Sequence, residues 1–222
     1  MSTAHTITVS THGRYLTAPP SSGRPAGFLV GFHGYGEPAE LQLERLRSIP
    51  GAHRWLLVSI QGLNRFYRGR TEEVVASWMT RQDRELAIAD NIAFVSAVVD
   101  AVARDASVAS PLVFAGFSQG VAMAFRAACS SRSVAGIVAV GGDIPPELTR
   151  EALARLPVAI VARGQGDDWY TTAKWTADQT RLRDAGVDVR AVGFDGGHEW
   201  HADVSREAGM ILERADADRA SL

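Results

Sequence analysis

The sequence contains a single cysteine, Cys129, among its 222 residues. One thiol excludes an internal disulfide and a metal site built from several thiolates. Cys129 falls inside a predicted helix, where a buried cysteine behaves as a small apolar side chain.

A cationic leader and a long uninterrupted apolar run are also missing. The first residues do not combine a positively charged start with an apolar stretch of about 7–15 residues, as a secretory signal would. No uninterrupted apolar run approaches the roughly 20 residues that a membrane-spanning helix requires. The sequence therefore predicts a cytoplasmic protein with no membrane insertion.

Charge of one sign is not in excess. The chain carries 23 Lys and Arg against 25 Asp and Glu, which gives a formal net charge of −2. Binding to a phosphate backbone needs a stripe of basic side chains, so we expect no nucleic acid partner. The 46% hydrophobic and 22% charged residues are typical of a globular protein. A chain of this length suits one domain, residues 1–222.

Short apolar runs alternate with helical patterns from about residue 26 onward. This alternation predicts an α/β fold with a mostly parallel sheet and helices on both faces. Strands are predicted at residues 6–10, 14–17, 27–32, 55–60, 112–115, 136–140, 158–162 and 189–193. Helices are predicted at residues 39–47, 83–106, 119–129, 172–185 and 202–216. The first two strands precede any helix, which favours an antiparallel hairpin at one sheet edge.

Residues 112–125 read as a strand, a sharp turn and a helix, with Gly-Phe-Ser-Gln-Gly in the turn. Such a turn holds its serine in a strained conformation, and Gly116 and Gly120 provide positions without a Cβ where strand and helix approach. The helix N-terminus would direct its free N–H groups at the oxygen of Ser118. We predict that Ser118 is the nucleophile of a hydrolase acting on ester or thioester bonds.

A serine nucleophile needs a base, which in this kind of fold comes last in the chain. His198 follows the predicted strand at 189–193 and the flexible pair Gly196-Gly197, so we predict that it takes the proton from Ser118. The nearest alternative is His201, which we interpret as the start of the last helix.

The acid that orients the base has more than one candidate. Asp167 and Asp168 are adjacent after the strand at 158–162, and only one of them can usually point at the histidine. We favour Asp167. Asp143, after the preceding strand, is a third candidate, although a turn or cap before Pro145 is the simpler interpretation.

Two backbone N–H groups are expected to bind the oxyanion of the tetrahedral intermediate. One is the N–H of Gln119, directly after the serine. The other is the N–H of Tyr35, in the sequence His-Gly-Tyr-Gly that follows the early strand at 27–32.

Aromatic residues on the predicted loops could line a substrate pocket. Phe66, Trp78 and Trp169 are the candidates for substrate binding, with core or loop packing as the alternative for each. An aromatic cleft would suit a short or medium acyl chain. The segment 61–82, read as a loop, adds basic side chains that would either attract an anionic substrate group or form a solvated surface, namely Arg65, Arg68, Arg70 and Arg81.

Four motifs, at residues 32–36, 116–120, 164–167 and 197–198, together resemble the α/β-hydrolase superfamily. The resemblance is to its small carboxylesterase and lysophospholipase branch, which includes the acyl-protein thioesterases. It implies an α/β-hydrolase fold with no large lid domain, no cofactor, and often a homodimer. In this branch the loop that carries the acid, here called the acid loop, has a glycine followed three residues later by an aspartate. Gly164 and Asp167 match this spacing, which selects Asp167 over Asp168.

The resemblance implies a serine carboxylesterase that acts on a small-molecule ester. Acyl thioesterase or lysophospholipase activity on the same residues, and a non-catalytic binding module with the same fold, are the alternatives. The acid loop departs from the branch in two places. Gln165 stands where the branch typically has an aspartate, and Trp169-Tyr170 replaces a Pro-Leu-like stretch.

Overall fold

A computed structural model describes residues 2–21, 23–106, 111–131 and 133–220 of the chain. The strands are β1 (Arg14–Ala18), β2 (Phe28–Phe32), β3 (Leu56–Gln61), β4 (Asn64–Tyr67), β5 (Val74–Ser77), β6 (Leu112–Phe117), β7 (Gly136–Val140), β8 (Val158–Gly164) and β9 (Asp188–Phe194). The helices are α1 (Ala39–Arg47), α2 (Arg84–Ala106), α3 (Gln119–Ser130), α4 (Arg150–Leu153), α5 (Thr172–Asp184) and α6 (Ala202–Ala220).

Seven strands form one sheet in the order β1-β3-β2-β6-β7-β8-β9. All neighbouring pairs are parallel except β1 and β3, which are antiparallel. The predicted α/β class with a mostly parallel sheet is therefore confirmed. The chain order reverses at β2, which lies between β3 and β6, and ligands of open α/β sheets bind at the strand carboxyl ends near such a reversal. Within the described ranges, no insertion forms a large lid domain.

Helices cover both faces of the sheet, because successive strand residues point to opposite sides. Phe28 and Val30 of β2 belong to one buried cluster and Leu29 to the other. Helices α2, α3 and α5 pack on the first face, whereas α1 and α6 pack on the second. Burial of each large apolar side chain contributes about 1.5–3 kcal/mol, so this two-sided core fixes the strands whose ends carry polar groups.

The predicted strand at residues 6–10 and its hairpin with the next strand are wrong. Residues 6–10 form no strand, and the side chains of Ile7 and Val9 are 88% and 75% exposed. The antiparallel edge strand β1 pairs instead with β3, with Arg14 opposite Gln61. A segment with alternating apolar residues forms a strand only where those side chains pack against neighbouring strands or helices. This segment buries neither Ile7 nor Val9.

The segment 61–82 is not a loop throughout, since β4 and β5 form an antiparallel hairpin within it. Glycine at position 62 lets the backbone pass close to the end of β5, because a Cβ there would lie 2.7 Å from the carbonyl oxygen of Ser77. Ala76 forms an antiparallel bridge with Glu37. The hairpin thus supports the loop that follows β2.

Helix α2 is long and apolar enough to cross a membrane by length and composition alone. Asp90, Asn91 and Asp100 interrupt its apolar residues, so the helix does not contradict the prediction that no long uninterrupted apolar run is present. In the structure, Val95, Val98 and Val102 of this helix are buried in the core beside α3. The expected absence of membrane insertion stays a prediction.

Cys129 lies near the end of α3 with 7% of its surface exposed. Burial raises the pKa of its thiol to about 11, because the thiolate is disfavoured away from water. The interpretation of this cysteine as a small buried side chain is confirmed.

Candidate active site

Ser118 occupies the turn between β6 and α3 with φ 52° and ψ −120°. A non-glycine residue at positive φ is strained, and the surroundings must hold it there. Its backbone N–H donates to the carbonyl of Val140 at 2.8 Å. A Cβ on Gly120 would lie 2.2 Å from the carbonyl oxygen of Phe32, and one on Gly116 would lie 2.6 Å from that of Gly120. The turn can therefore form only because neither position carries a Cβ.

A continuous pair of hydrogen bonds joins Ser118, His198 and Asp167. The Nε2 atom of His198 lies 2.8 Å from Oγ of Ser118, and its Nδ1 atom lies 2.8 Å from Oδ2 of Asp167. The ring of Phe117 packs against the imidazole with the centroids 5.1 Å apart. Three residues from three different strand ends are thus brought together as the sequence predicts.

The carboxylate of Asp167 is buried, and its second oxygen also has partners. Oδ1 accepts hydrogen bonds from the backbone N–H groups of Trp169 and Tyr170, both at 2.9 Å. Its side chain is 1% exposed, whereas that of His198 is 27% exposed. These bonds fix the carboxylate so that Oδ2 faces the imidazole.

The other candidates for acid and base lie outside this arrangement. Asp168 is exposed, and Asp143 forms an ion pair with Lys174 at 3.0 Å. His201 stacks on Phe194 with the ring centroids 4.7 Å apart, directly before α6. Within the described ranges, no group of three or more His, Cys, Asp or Glu residues could hold a metal ion.

Arg163 at the end of β8 holds the loop that carries Asp167, and sequence reasoning missed it. Its buried guanidinium donates to the carbonyls of Tyr170 at 2.9 Å, and of Gln165 and Asp167 at 3.2 Å each. It also donates to Oγ1 of Thr172 at 2.9 Å. A charged residue directly after a run of buried apolar strand residues is the signal that could have revealed it.

The two predicted oxyanion donors, Tyr35 and Gln119, line the same cleft as Ser118 and His198. Gln119 is the first residue of α3, so its N–H has no carbonyl partner within the helix. Its side chain accepts a hydrogen bond from the N–H of Trp78 at 2.9 Å and donates to the carbonyl of Met79 at 3.2 Å. Because β2 and β6 are adjacent and parallel, the loops after them meet at one sheet edge.

His33 and Glu37 shape the loop that contains Tyr35. The Nε2 atom of His33 accepts from the N–H of Gly62 at 3.0 Å, so its Nδ1 carries the proton and donates to the carbonyl of Gly34 at 2.7 Å. Burial lowers the pKa of His33 below 6.5, which keeps this imidazole neutral. The residue is thus a structural partner of the loop.

Glu37 fixes the same loop from the other side. Its carboxylate accepts the N–H of Gly34 at 2.7 Å and the guanidinium of Arg45 at 2.6 and 2.8 Å. Burial alone would raise the pKa of Glu37, but Arg45 and the Gly34 N–H hold it below its ordinary value. Arg45 in turn stacks its guanidinium over the ring of Phe117 at 4.0 Å. This ion pair connects the loop to the turn that carries Ser118.

The cleft above Ser118 has a volume of about 560 Å³. Trp169 lies in its wall, and the other wall residues include Met79, Ala122, Ile144, Pro145 and Pro146. The prediction that Trp78 contacts substrate is wrong, because its ring is fully buried and donates to the carbonyl of His33. Phe66 packs against Tyr35 at the rim and is not part of the wall.

The basic residues predicted from the segment 61–82 do not line the cleft. Arg65 donates to the carbonyl of His12, and Arg68 pairs with Glu73. The cations that do line it are Arg84, Arg126 and Lys174. Arg126 was overlooked although it is the one charged residue in the apolar run at 120–129.

The chain is similar to known hydrolases in sequence and in fold. The family model described as phospholipase/carboxylesterase matches residues 20–168, a span that includes Ser118 and Asp167 and ends before His198. A comparison with curated proteins finds no match.

Similar solved structures include esterase PE8, with 21% identity, a TM-score of 0.71, and coverage of 92% of this chain and 100% of that one. Acyl-protein thioesterase 2 from Zea mays has 15% identity and a TM-score of 0.71, with the same coverage. The Bacillus cereus carboxylesterase has 16% identity and a TM-score of 0.68, covering 91% of this chain and 94% of that one. These likenesses support the fold, and the family match extends over about two thirds of the sequence. The chain therefore belongs to the phospholipase/carboxylesterase family and is a hydrolase of the serine-hydrolase type.

Proposed function

We propose that this chain is a serine carboxylesterase in which Ser118 is the nucleophile, His198 the base and Asp167 the orienting acid. The observation that carries the proposal is the unbroken pair of 2.8 Å contacts from Ser118 through the imidazole to Asp167. A serine hydroxyl is a weak nucleophile until an adjacent base removes its proton, and this geometry supplies that base in the required orientation.

In the acylation step, Nε2 of His198 takes the proton of Ser118 as Oγ attacks the ester carbonyl carbon. The carbonyl oxygen becomes an oxyanion that the N–H groups of Gln119 and Tyr35 bind. Asp167 accepts the Nδ1–H of the resulting imidazolium and stabilises its charge. The tetrahedral intermediate then breaks its bond to the leaving oxygen, which receives the proton from His198, and an acyl-enzyme on Ser118 remains.

In the deacylation step, a water molecule takes the place of the leaving alcohol. His198 removes a proton from the water as it attacks the acyl carbon, and a second oxyanion forms at the same two N–H groups. When the bond to Oγ breaks, His198 returns the proton to Ser118. The carboxylic acid leaves, and the enzyme is restored without any cofactor.

The size and lining of the cleft favour substrates with small or medium acyl groups. Its walls are mainly apolar, and at about 560 Å³ it falls in the range of small-molecule sites. One of the similar structures is that of an acyl-protein thioesterase, and the same residues could attack a thioester. Matched oxygen and sulfur esters with one acyl group would decide which leaving atom is preferred.

The proposal is tested by labelling with a fluorophosphonate probe together with hydrolysis of p-nitrophenyl esters of increasing acyl length. We expect the parent to react at Ser118 and Ser118→Ala to lose the label and about 10⁴–10⁶-fold in kcat. Ser96→Ala, at an exposed serine on α2, is the control and should change neither. Absence of labelling in the folded parent would instead favour a non-catalytic binding module.

A further inference from the structure

One part of the cleft wall carries a buried guanidinium, that of Arg126 on α3. The residue is 2% exposed, and its Nε and Nη2 atoms both contact Oε1 of Glu147, at 2.8 and 2.5 Å. Its third nitrogen, Nη1, has only the sulfur of Met123 at 4.0 Å. A thioether is a weak acceptor, so this nitrogen retains capacity to bind an anion.

The charges around this part of the cleft do not cancel. Arg126 pairs with Glu147, and Lys174 pairs with Asp143. Arg84, at the start of α2, also lines the cleft, but no carboxylate of the described residues lies within ion-pairing distance of it. Three cations therefore face two carboxylates, which leaves one positive charge.

Arg84 and Arg126 are close enough to affect each other. Burial lowers the pKa of Arg126, the Glu147 carboxylate opposes this change, and the charge of Arg84 adds to the lowering. The Glu147 carboxylate interacts favourably with both guanidinium groups, so these three groups together keep one positive charge that a substrate anion can balance.

The position of this pair relative to Ser118 suggests which part of a substrate would reach it. Ala122 and Arg126 follow Ser118 at intervals of four residues, so they continue along one side of α3, and Arg126 lies about 12 Å further along the helix axis. His198 protonates the leaving oxygen, so the leaving group belongs on the imidazole side. The acyl chain would then extend along α3 toward Arg126.

We propose that the preferred substrates are esters whose acyl chain ends in an anionic group such as a carboxylate, bound by Arg84 and Arg126. This inference rests on the proposed esterase function and names its substrate class. An apolar chain would contact Ala122 and Met79, and its charged end would take the position between the two guanidinium groups.

The test compares p-nitrophenyl monoesters of linear dicarboxylic acids with their methyl-capped, neutral counterparts of equal length. The quantity measured is the ratio of kcat/KM for the anionic ester to that for the neutral ester. We expect a ratio above one in the parent, which falls by about two- to fivefold in Arg84→Gln, as for one partly exposed ion pair. Arg84→Glu should lower it further, and added salt should lower it in the parent.

Arg81→Gln is the matched control, because Arg81 is exposed three residues earlier and does not line the cleft. Its ratio should equal that of the parent. The double variant Arg126→Gln with Glu147→Gln removes the buried charge without leaving its partner unpaired, and we expect a larger fall than in Arg84→Gln. A thermal unfolding curve like that of the parent establishes that this variant is folded.

Two results separate this inference from the proposed function. Hydrolysis of neutral esters with a ratio that is the same in the parent, Arg84→Gln and Arg84→Glu would overturn the anionic subsite and leave the esterase intact. If folded parent protein hydrolyses neither ester of any pair, the esterase proposal itself fails.

Discussion

The turn that carries Ser118 and the loop that carries Asp167 are held in place by different kinds of interaction. Each follows the carboxyl end of a sheet strand and must present one polar atom to His198. The turn is held by close backbone packing, with Ser118 at φ 52° between two glycines. The acid loop is held by hydrogen bonds, most of them from Arg163 and from two backbone N–H groups.

A steric constraint and a hydrogen-bond network respond differently to a single substitution. A backbone contact at 2.2 Å leaves no room for one extra carbon, because interiors are close-packed and backbone cannot move aside cheaply. A hydrogen-bonded loop can lose one partner and still close, with its carboxylate less well placed. Substitutions of the turn glycines should therefore affect folding, and substitutions that remove a hydrogen bond from the acid loop should affect chiefly the rate.

The largest effect is expected for Gly120→Ala in the turn. Its new Cβ would overlap the carbonyl of Phe32, so α3 or β2 must shift, and we expect a loss of more than about 4 kcal/mol in the free energy of unfolding. Chemical denaturation and the yield of folded protein measure this loss. Gly197→Ala, where a Cβ meets nothing within 4 Å, is the control and should stay folded. Equal stability of the two variants would contradict the steric account.

Next in size is the effect of removing the acid. Asp167→Asn should lower kcat by about 10⁴-fold, because the amide cannot stabilise the imidazolium and can hold the wrong tautomer. Asp168→Asn, at the exposed neighbour, should stay within about twofold of the parent. Steady-state hydrolysis of one p-nitrophenyl ester measures both. Similar losses in the two variants would mean that the acid is misassigned.

A smaller effect is expected for Arg163→Met, which keeps an unbranched side chain in place of the arginine stem and removes the hydrogen bonds to the acid loop. A carbonyl left without a partner costs about 1–3 kcal/mol, and misplacement of Asp167 should lower kcat by up to about 10²-fold. A positioning role predicts that kcat falls more than KM rises. Arg163→Lys should recover little, since a single ammonium cannot reach all four oxygen partners. A variant of either kind with parental kcat would refute the role.

The smallest effect is expected in the pH dependence of the free energy of unfolding. It comes from His33, which shapes the loop that contains Tyr35. Its pKa is lowered in the folded state, so below about pH 6.5 the unfolded chain binds a proton that the folded protein does not. The free energy of unfolding should therefore fall as the pH decreases from 7 to 5, by at most about 1.4 kcal/mol per pH unit. Urea unfolding of His33→Gln should show a flatter dependence, whereas His53→Gln, at an exposed histidine, should match the parent. A parental slope in His33→Gln would argue against this origin.

The sequence predicted the fold class and most sheet strands because buried strands and amphipathic helices impose local periodicities. It failed where a pattern had no partner, as at Ile7 and Val9, and where a buried aromatic was read as part of a pocket, as at Trp78. The hairpin of β4 and β5 went unrecognised because its strands are short. Trp169 does line the cleft, since it stands in the acid loop beside Asp167.

The local sequence is enough to define the turn around Ser118, because the need for glycine on both sides is a local steric rule. It also determined the order of serine, aspartate and histidine after successive strands. The tertiary structure was needed to show that Asp167, as predicted, faces the imidazole, that Arg163 holds its loop, and that Arg84 and Arg126 line the same cleft. These contacts join residues from different elements, and their distances depend on how the helices pack on the sheet, which no local pattern encodes.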